Sequence, residues 1–329
     1  MTFNEVKKEY MQSKIDFDGV KESTLSVIAT QYKSYIAPIL GNKVIEDFRS
    51  RDLQEFVNTL LTEKNLSIHT TRDLASRVKN IIGYVQWKYE IPVYKLVVKY
   101  PPRKTIAQFD YEKTFTNDEQ LKILRAISDN PSIHNMAVAL ILFTGCRIGE
   151  ICALRWENYD LGKNSVRVEH TLERIYDPYG NRTKIVIQAA KTATSRREIP
   201  LPDILKSWMQ SQQCVNLPHW FIASGSHKPV EPRLMRTYYY RLLADAGVRP
   251  LSPHKMRHTF ASNLIASGGD IKTVSTLLGH ADTSITLDIY THIDLSKKKN
   301  VIDSFWGRTK KKEKKQSTLT ILQERTASL

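Results

Sequence analysis

Three short stretches carry side chains that could do chemistry together. TGCRIGEICALRW holds Arg147 and Glu150. LSPHKMRHTF holds His254 and Arg257, with His258 next in line. LLGHADTSITLDIYTHI sets Tyr290 among short polar residues between His280 and His292. Two arginines, several histidines and a tyrosine, with no acidic cluster, suit a phosphodiester. A guanidinium stays charged and binds two phosphate oxygens in a planar fork. Arg147 and Arg257 could therefore neutralise a pentacoordinate transition state without a metal. Tyrosine is a poor nucleophile at its free pKa of about 10, but nearby cations favour phenolate. A phosphotyrosine keeps the energy of the broken phosphodiester, so a strand can be rejoined without ATP.

Each stretch also has a plain structural reading. Arg147 and Glu150, at i and i+3, could be a surface ion pair of little energetic value. His254 could be a helix cap or a packing residue, and Tyr290 an aromatic anchor with a satisfied hydroxyl. No GxxxxGK[ST] or HExxH occurs, so neither ATP hydrolysis nor zinc proteolysis is supported.

The elements that must position these residues follow from periodicity and caps. Leu53, Phe56, Val57, Leu60 and Leu61 form one amphipathic stripe, and Leu74, Val78, Ile81, Ile82 and Val85 form another. A preceding helix is expected over Ser26 to Ile39, ending at Pro38 and Gly41. Ile91 to Asp110 contains three prolines and loses the helical period, as a linker would. Thr116 and Glu119 then make a capping box, and MAVALILFTG reads as a helix buried on all sides. Gly145 is expected to start the next helix, with Ile148, Ile151 and Cys152 facing the core. SVRVEH, TKIVIQ and REIPLP switch to period two and suggest a three-stranded antiparallel meander. Helices resume at PRLMRTYYYRLLADAG, where Tyr238, Tyr239 and Tyr240 cannot all face one way and one or two should pack. Ser252 and Pro253 mark the start of the His254 helix. Asp270 and Gly279 bound the next one, and Tyr290 falls in a helix opening near Asp282.

Composition limits the partners. The net charge of the 329-residue chain is +15, which favours a polyanion such as nucleic acid. Nine basic residues against two acidic between Ser296 and Lys315 supply +7 of it, and the body keeps +8. The chain shows no signal peptide and no apolar run long enough to cross a bilayer, so a cytoplasmic protein without a membrane partner is expected. Cys146, Cys152 and Cys214 show no metal-ligand or disulfide pattern and read as buried free thiols.

In order and spacing, GCRIGEICALRW, KTATSRREIPL, SPHKMRHTF, LLGH and IYTH resemble the signature boxes of the tyrosine recombinases, also called the phage integrase family. The resemblance covers about two thirds of the chain. It implies a mainly α fold with a small antiparallel sheet: a helical, SAM-like core-binding domain at 1–105, a linker at 106–112, a mixed α+β catalytic domain at 113–307 and a basic, flexible tail at 308–329. It implies roles for seven residues. Arg147 and Arg257 bind the phosphate, Lys191 protonates the leaving 5′ oxygen, His254 is a general acid or base, and His280 hydrogen-bonds the phosphate. Glu150 supports the site by orienting the first arginine, and Tyr290 forms a 3′-phosphotyrosine.

No cofactor or metal is implied. The implied partners are double-stranded DNA with specific recombination sites and three further copies of the chain, four protomers holding two duplexes through a Holliday junction. An excisionase or DNA-bending helper is a further candidate. The first amphipathic helices begin almost at Met1, so the extra arm-binding domain of many integrases is expected to be missing. Ile302, Phe305 and Trp306 are candidates for docking onto a neighbouring protomer, against a packing helix within the chain as the other reading. A simpler integrase, a transposon or integron-type recombinase and a chromosome-dimer resolvase are the options within the family, and integration or excision of a mobile element is the expected role. The alternatives are relaxation of supercoils in the manner of a type IB topoisomerase and DNA-binding regulation without catalysis.

Overall fold

The computed structural model describes residues 1–92, 95–102, 114–177, 182–189 and 193–279. Contacts divide the chain into two units, Met1–Ala107 with Glu173–Val186, and Gln108–Leu172 with Ile187–Leu329.

The first unit is a helical bundle. Helix α1 (Phe3–Asp16) opens on a capping box between Thr2 and Glu5. Helix α2 (Glu22–Gln31) continues through a π turn (Tyr32–Ile36) into α3 (Ala37–Leu40). This rod begins four residues before the expected Ser26 and runs through Pro38. Proline cannot donate to the ladder, and the π turn just before it, where Ala37 N–H reaches back to the Tyr32 carbonyl, absorbs the mismatch. Helices α4 (Ser50–Thr62) and α5 (Ile68–Lys88) complete the bundle. Both predicted stripes face inward: Leu53, Phe56, Val57 and Leu60 are buried, as are Leu74, Val78, Ile81, Ile82 and Val85, while Leu61 flanks the core.

In the second unit α6 (Asn117–Asp129) starts at the expected Thr116–Glu119 box. Helix α7 (Ile133–Thr144) is sealed over Met136–Leu142 and forms the centre of the core. After α8 (Ile148–Ala153) come β1 (Tyr159–Asp160) and β2 (Ser165–Val168), then β3 (His170–Tyr176) and β4 (Thr183–Ala189), most of which belong to the first unit through Glu173–Val186, and then β5 (Arg197–Pro200). Helices α9 (Asp203–Val215), α10 (Pro232–Asp245), α11 (Pro253–Ala266) and α12 (Ile271–Leu278) follow.

The three period-two segments are all strands, but they do not form one meander. Strand β2 pairs directly and antiparallel with β5, Val166 opposite Ile199, and β1 lines its other edge. Strands β3 and β4 form a separate two-stranded ladder, joined by too few residues for a parallel crossover. Burial explains the split. Strands β2 and β5 bury Val166, Val168 and Ile199, whereas Ile185 and Ile187 of β4 stay 42% exposed and gain nothing from the main sheet. Among the described residues no helix is long and apolar enough to cross a membrane.

Candidate active site

Gly145 does not start a helix; it ends one. It caps α7 in the left-handed region at φ +63, where a side chain would be strained. Arg147 is therefore the N-cap of α8 in extended backbone, and Glu150 lies in the first turn. The Arg147 N–H donates to Glu150 Oε2 and Nη1 donates to Oε1, both at 2.8 Å. This is not the exposed pair that spacing alone allowed. Glu150 is 6% exposed, while Arg147 keeps 42% of its side chain open.

The reason Glu150 can stay charged there is Arg197, on the inward face of β5. Its Nη2 and Nη1 donate to the two Glu150 oxygens at 2.8 and 3.2 Å, and Nε donates to the Leu277 carbonyl at 2.7 Å. Burial alone would raise the Glu150 pKa. Hydrogen bonds and charge from Arg197, followed by Arg147, outweigh burial and hold the carboxyl below its usual range.

Ser252 and Pro253 start α11 as expected, although the Ser252 hydroxyl makes no capping bond. Arg257, one turn in, is buried and donates to the Gly145 carbonyl at 2.7 Å and the Leu278 carbonyl at 2.6 Å. These carbonyls end α7 and α12, where the helix dipole favours a cation. Burial, then repulsion from Arg147, pushes the Arg257 guanidinium down to about 9, still protonated at neutral pH. His254 is exposed, with its ring edge-on to His258 at 4.7 Å. Loss of hydration and the charges of Arg257, Arg147 and Lys255 lower its pKa.

Arg147, His254 and Arg257 line one cleft of about 390 Å³, together with Cys146, Ile148, Arg236, Tyr240, Ser252 and Pro253. An open cationic cleft with a neutral histidine at its lip can take a phosphate and exchange a proton beside it. The profile described as the phage integrase family matches residues 113–297, and that of the phage integrase N-terminal SAM-like domain matches 2–61. The chain belongs to the phage integrase family.

Its relatives share that character. A "Tyrosine recombinase XerC-like" protein of Caldanaerobacter subterraneus subsp. tengcongensis is 30% identical over 86% of this chain and 78% of its own length. Tyrosine recombinase XerC of Pseudomonas aeruginosa is 28% identical over 93% of both. In fold, this integrase resembles the Tn1549 transposon integrase in complex with transposon right end DNA, at TM-score 0.68 and 21% identity, over 92% of this chain and 99% of that one. It also resembles a lambda integrase tetramer bound to a Holliday junction, at TM-score 0.59 and 18% identity, over 88% and 77%. The enzyme is a tyrosine recombinase that breaks and rejoins DNA.

The seven residues singled out from the sequence divide in two. Arg147, Glu150, His254 and Arg257 come together around the cleft of this integrase. Lys191, His280 and Tyr290 lie outside the described residues, as do His292, Ile302, Phe305, Trp306, the 106–112 linker and the basic tail. Sequence reasoning missed Arg197, whose signal was an arginine at i and i+2 with the inward-facing Ile199. It also missed Arg236, and it did not separate Tyr240 from its neighbours. Of the tyrosine run, Tyr239 is buried with its hydroxyl on the Leu251 carbonyl, Tyr238 stacks on His134 at 3.9 Å, and Tyr240 faces the cleft. The GxxxG of Gly145 and Gly149 is close packing: a Cβ on Gly149 would meet the Leu172 carbonyl at 2.8 Å. Cys146 and Cys152 are buried as expected, but Cys214, on the outer face of α9, is exposed.

Proposed function

We propose that this integrase-family enzyme is a site-specific recombinase acting through a 3′-phosphotyrosine. The Tyr290 oxygen forms a bond to the scissile phosphorus as the bond to the 5′ oxygen breaks. The tyrosine proton passes to His254, and Lys191 protonates the leaving 5′ oxygen. Arg147 and Arg257 hold the non-bridging oxygens, His280 donates to the same phosphate, and Glu150 fixes Arg147. Reversal with the 5′ hydroxyl of another strand rejoins the DNA.

The observation that carries this reading is the convergence of Arg147, His254 and the buried Arg257 on one cleft, with Arg257 pinned by the carbonyls that end two helices. A guanidinium so placed is preorganised for charge that develops in the transition state. The lowered pKa of His254 leaves it neutral at pH 7 and able to accept the tyrosine proton.

In the same proposal, four protomers hold two duplexes and exchange strands through a Holliday junction, with domains at 1–105 and 113–307 both contributing phosphate contacts. An excisionase or DNA-bending helper would join as a partner. Two substrates compete. Ends of a mobile element are favoured by the likeness to the Tn1549 and lambda integrases, and a chromosomal site by the XerC names of the relatives.

The test mixes wild-type and Tyr290→Phe protein, in EDTA, with nicked suicide duplexes carrying element ends or chromosomal candidates. An SDS-resistant adduct is expected with wild type alone, mapping to the Tyr290 peptide, together with recombinant product from two intact sites. Adducts that only relax supercoils would favour the topoisomerase alternative. Tight binding without adducts would sink the catalytic assignment.

A further inference from the structure

The cleft carries more charge than one phosphate can use. Arg147, Arg236 and Arg257 all line it, while Glu150 beneath them is already bound through both oxygens by Arg197. A phosphodiester brings one negative charge, and its pentacoordinate transition state two. One guanidinium is left over. Arg257 is held in place by two carbonyls and Arg147 by Glu150, whereas the exposed Arg236 side chain has no hydrogen-bond or ion-pair partner among the described residues.

Helix α10 presents Arg236 and Tyr240 at i and i+4, one above the other on the cleft side. Its other face is anchored, because Met235, Tyr239, Leu242 and Leu243 are buried in the core. Tyr239 also fixes α10 against the start of α11. Its hydroxyl donates to the Leu251 carbonyl at 2.8 Å, one residue before the cap of the His254 helix, and its ring meets Tyr240 edge-on at 5.2 Å. Arg236 and Tyr240 are thus held in a fixed relation to His254 without taking part in its hydrogen bonding.

We propose that Arg236 and Tyr240 form a second phosphate subsite, which takes the backbone phosphate next to the scissile one on the same strand. Arg236 supplies the charge and the Tyr240 hydroxyl a hydrogen bond. Neighbouring phosphates lie about 3.4 Å apart along the duplex axis, so a strand that seats one phosphate on Arg147 and Arg257 brings the next along the same cleft. Gripping two consecutive phosphates fixes strand direction as well as position, which one phosphate contact cannot do. This subsite rests on the phosphate-binding reading of Arg147 and Arg257.

The experiment uses the full chain and a duplex bearing its binding site, with binding followed by fluorescence anisotropy against salt. Arg236→Gln is expected to flatten the slope of log affinity against log salt by about 0.9, the loss of one phosphate contact. Arg236→Lys should retain the slope, and Tyr240→Phe should weaken binding a few-fold without changing it. Methylphosphonates placed singly along the strand then locate the contact. The position to which Arg236→Gln has become insensitive should be adjacent to the one to which Arg147→Gln has become insensitive. An unchanged slope in Arg236→Gln, or two non-adjacent positions, overturns the subsite. Adduct formation is scored separately. Adjacent positions without any adduct from wild type would leave the subsite standing and defeat the recombinase mechanism, and adducts with non-adjacent positions the reverse.

Discussion

Arg197 grips Glu150 through both carboxylate oxygens, at 2.8 and 3.2 Å, with only 3% and 6% of the two side chains exposed. The residues are 47 positions apart, so the pair fastens β5 to α8. Its third donor, to the Leu277 carbonyl, adds the end of α12. Arg197→Met would leave the Glu150 carboxylate without its main partner in a buried site and should cost about 3–5 kcal/mol. Urea unfolding measures this, and the Glu150→Gln/Arg197→Met double variant should lose less than the sum of the two singles. A loss below about 1 kcal/mol for Arg197→Met would contradict the burial of the pair.

The pKa of His254 is lowered by partial loss of hydration at the cleft and by the charges of Arg257, Arg147 and Lys255. As pH falls below about 6.5, the unfolded chain takes up the proton before the folded one does. The stability linked to this group is therefore present above about 6.5 and lost as pH falls toward the folded pKa. NMR titration should place the His254 midpoint below 6.5 in the free protein and move it upward when DNA phosphate enters the cleft. A free-protein midpoint at or above 6.5 would refute the described electrostatics.

Gly145 tests the backbone at the cleft floor. Its φ is +63, and a Cβ there would come to 2.5 Å from Phe260 Cδ1 and 2.9 Å from Leu278 Cδ2. Left-handed strain of about 1–2 kcal/mol and overpacking of about 1–3 kcal/mol should together make Gly145→Ala strongly destabilising. Gly268 is the internal control. At φ +90 it has nothing within 4 Å of a Cβ, so Gly268→Ala should show the backbone cost alone. Equal shifts in urea midpoint for the two variants would rule out the packing contribution.

The thiols offer a check that needs no variant. Burial, then the nearby Glu150 charge, pushes Cys146 up to about 11, and burial pushes Cys152 up to about 12. Only Cys214 is exposed. Native protein treated with a maleimide at pH 7 should therefore label at Cys214 alone, and unfolded protein at all three cysteines of the chain. Rapid native labelling of Cys146 would show that the floor of the cleft opens.

The helices were readable because their signals are local. The stripes of α4 and α5, the Thr116–Glu119 box, the Asp270 cap and the Gly279 stop each depend on residues three or four apart, and they appear where spacing placed them. Arg147, Glu150, His254 and Arg257 were equally visible, since each sits beside a helix start that its own neighbours encode. Where local signals compete, they mislead by a few residues. Gly145 could open a helix or close one, and in the fold it closes α7 in the left-handed region, where Phe260 and Leu278 leave no room for a Cβ.

What sequence could not supply is contact across long separations. Strand β2 chooses β5 over β4 because only β5 buries its alternate residues, a difference that period two does not express. Arg197 looks like any strand arginine until Glu150 and Leu277 arrive from 47 and 80 residues away to satisfy it. Arg236 and Tyr240 likewise become part of a cleft only when α10 is docked on the core, through a face whose direction is set by the Tyr239 bond to Leu251. The sequence by itself determined the chemistry, by specifying side chains and the helix turns that hold them. Tertiary structure alone decided which charges are buried and paired and which are left open at the cleft, because burial and pairing are properties of neighbours in space.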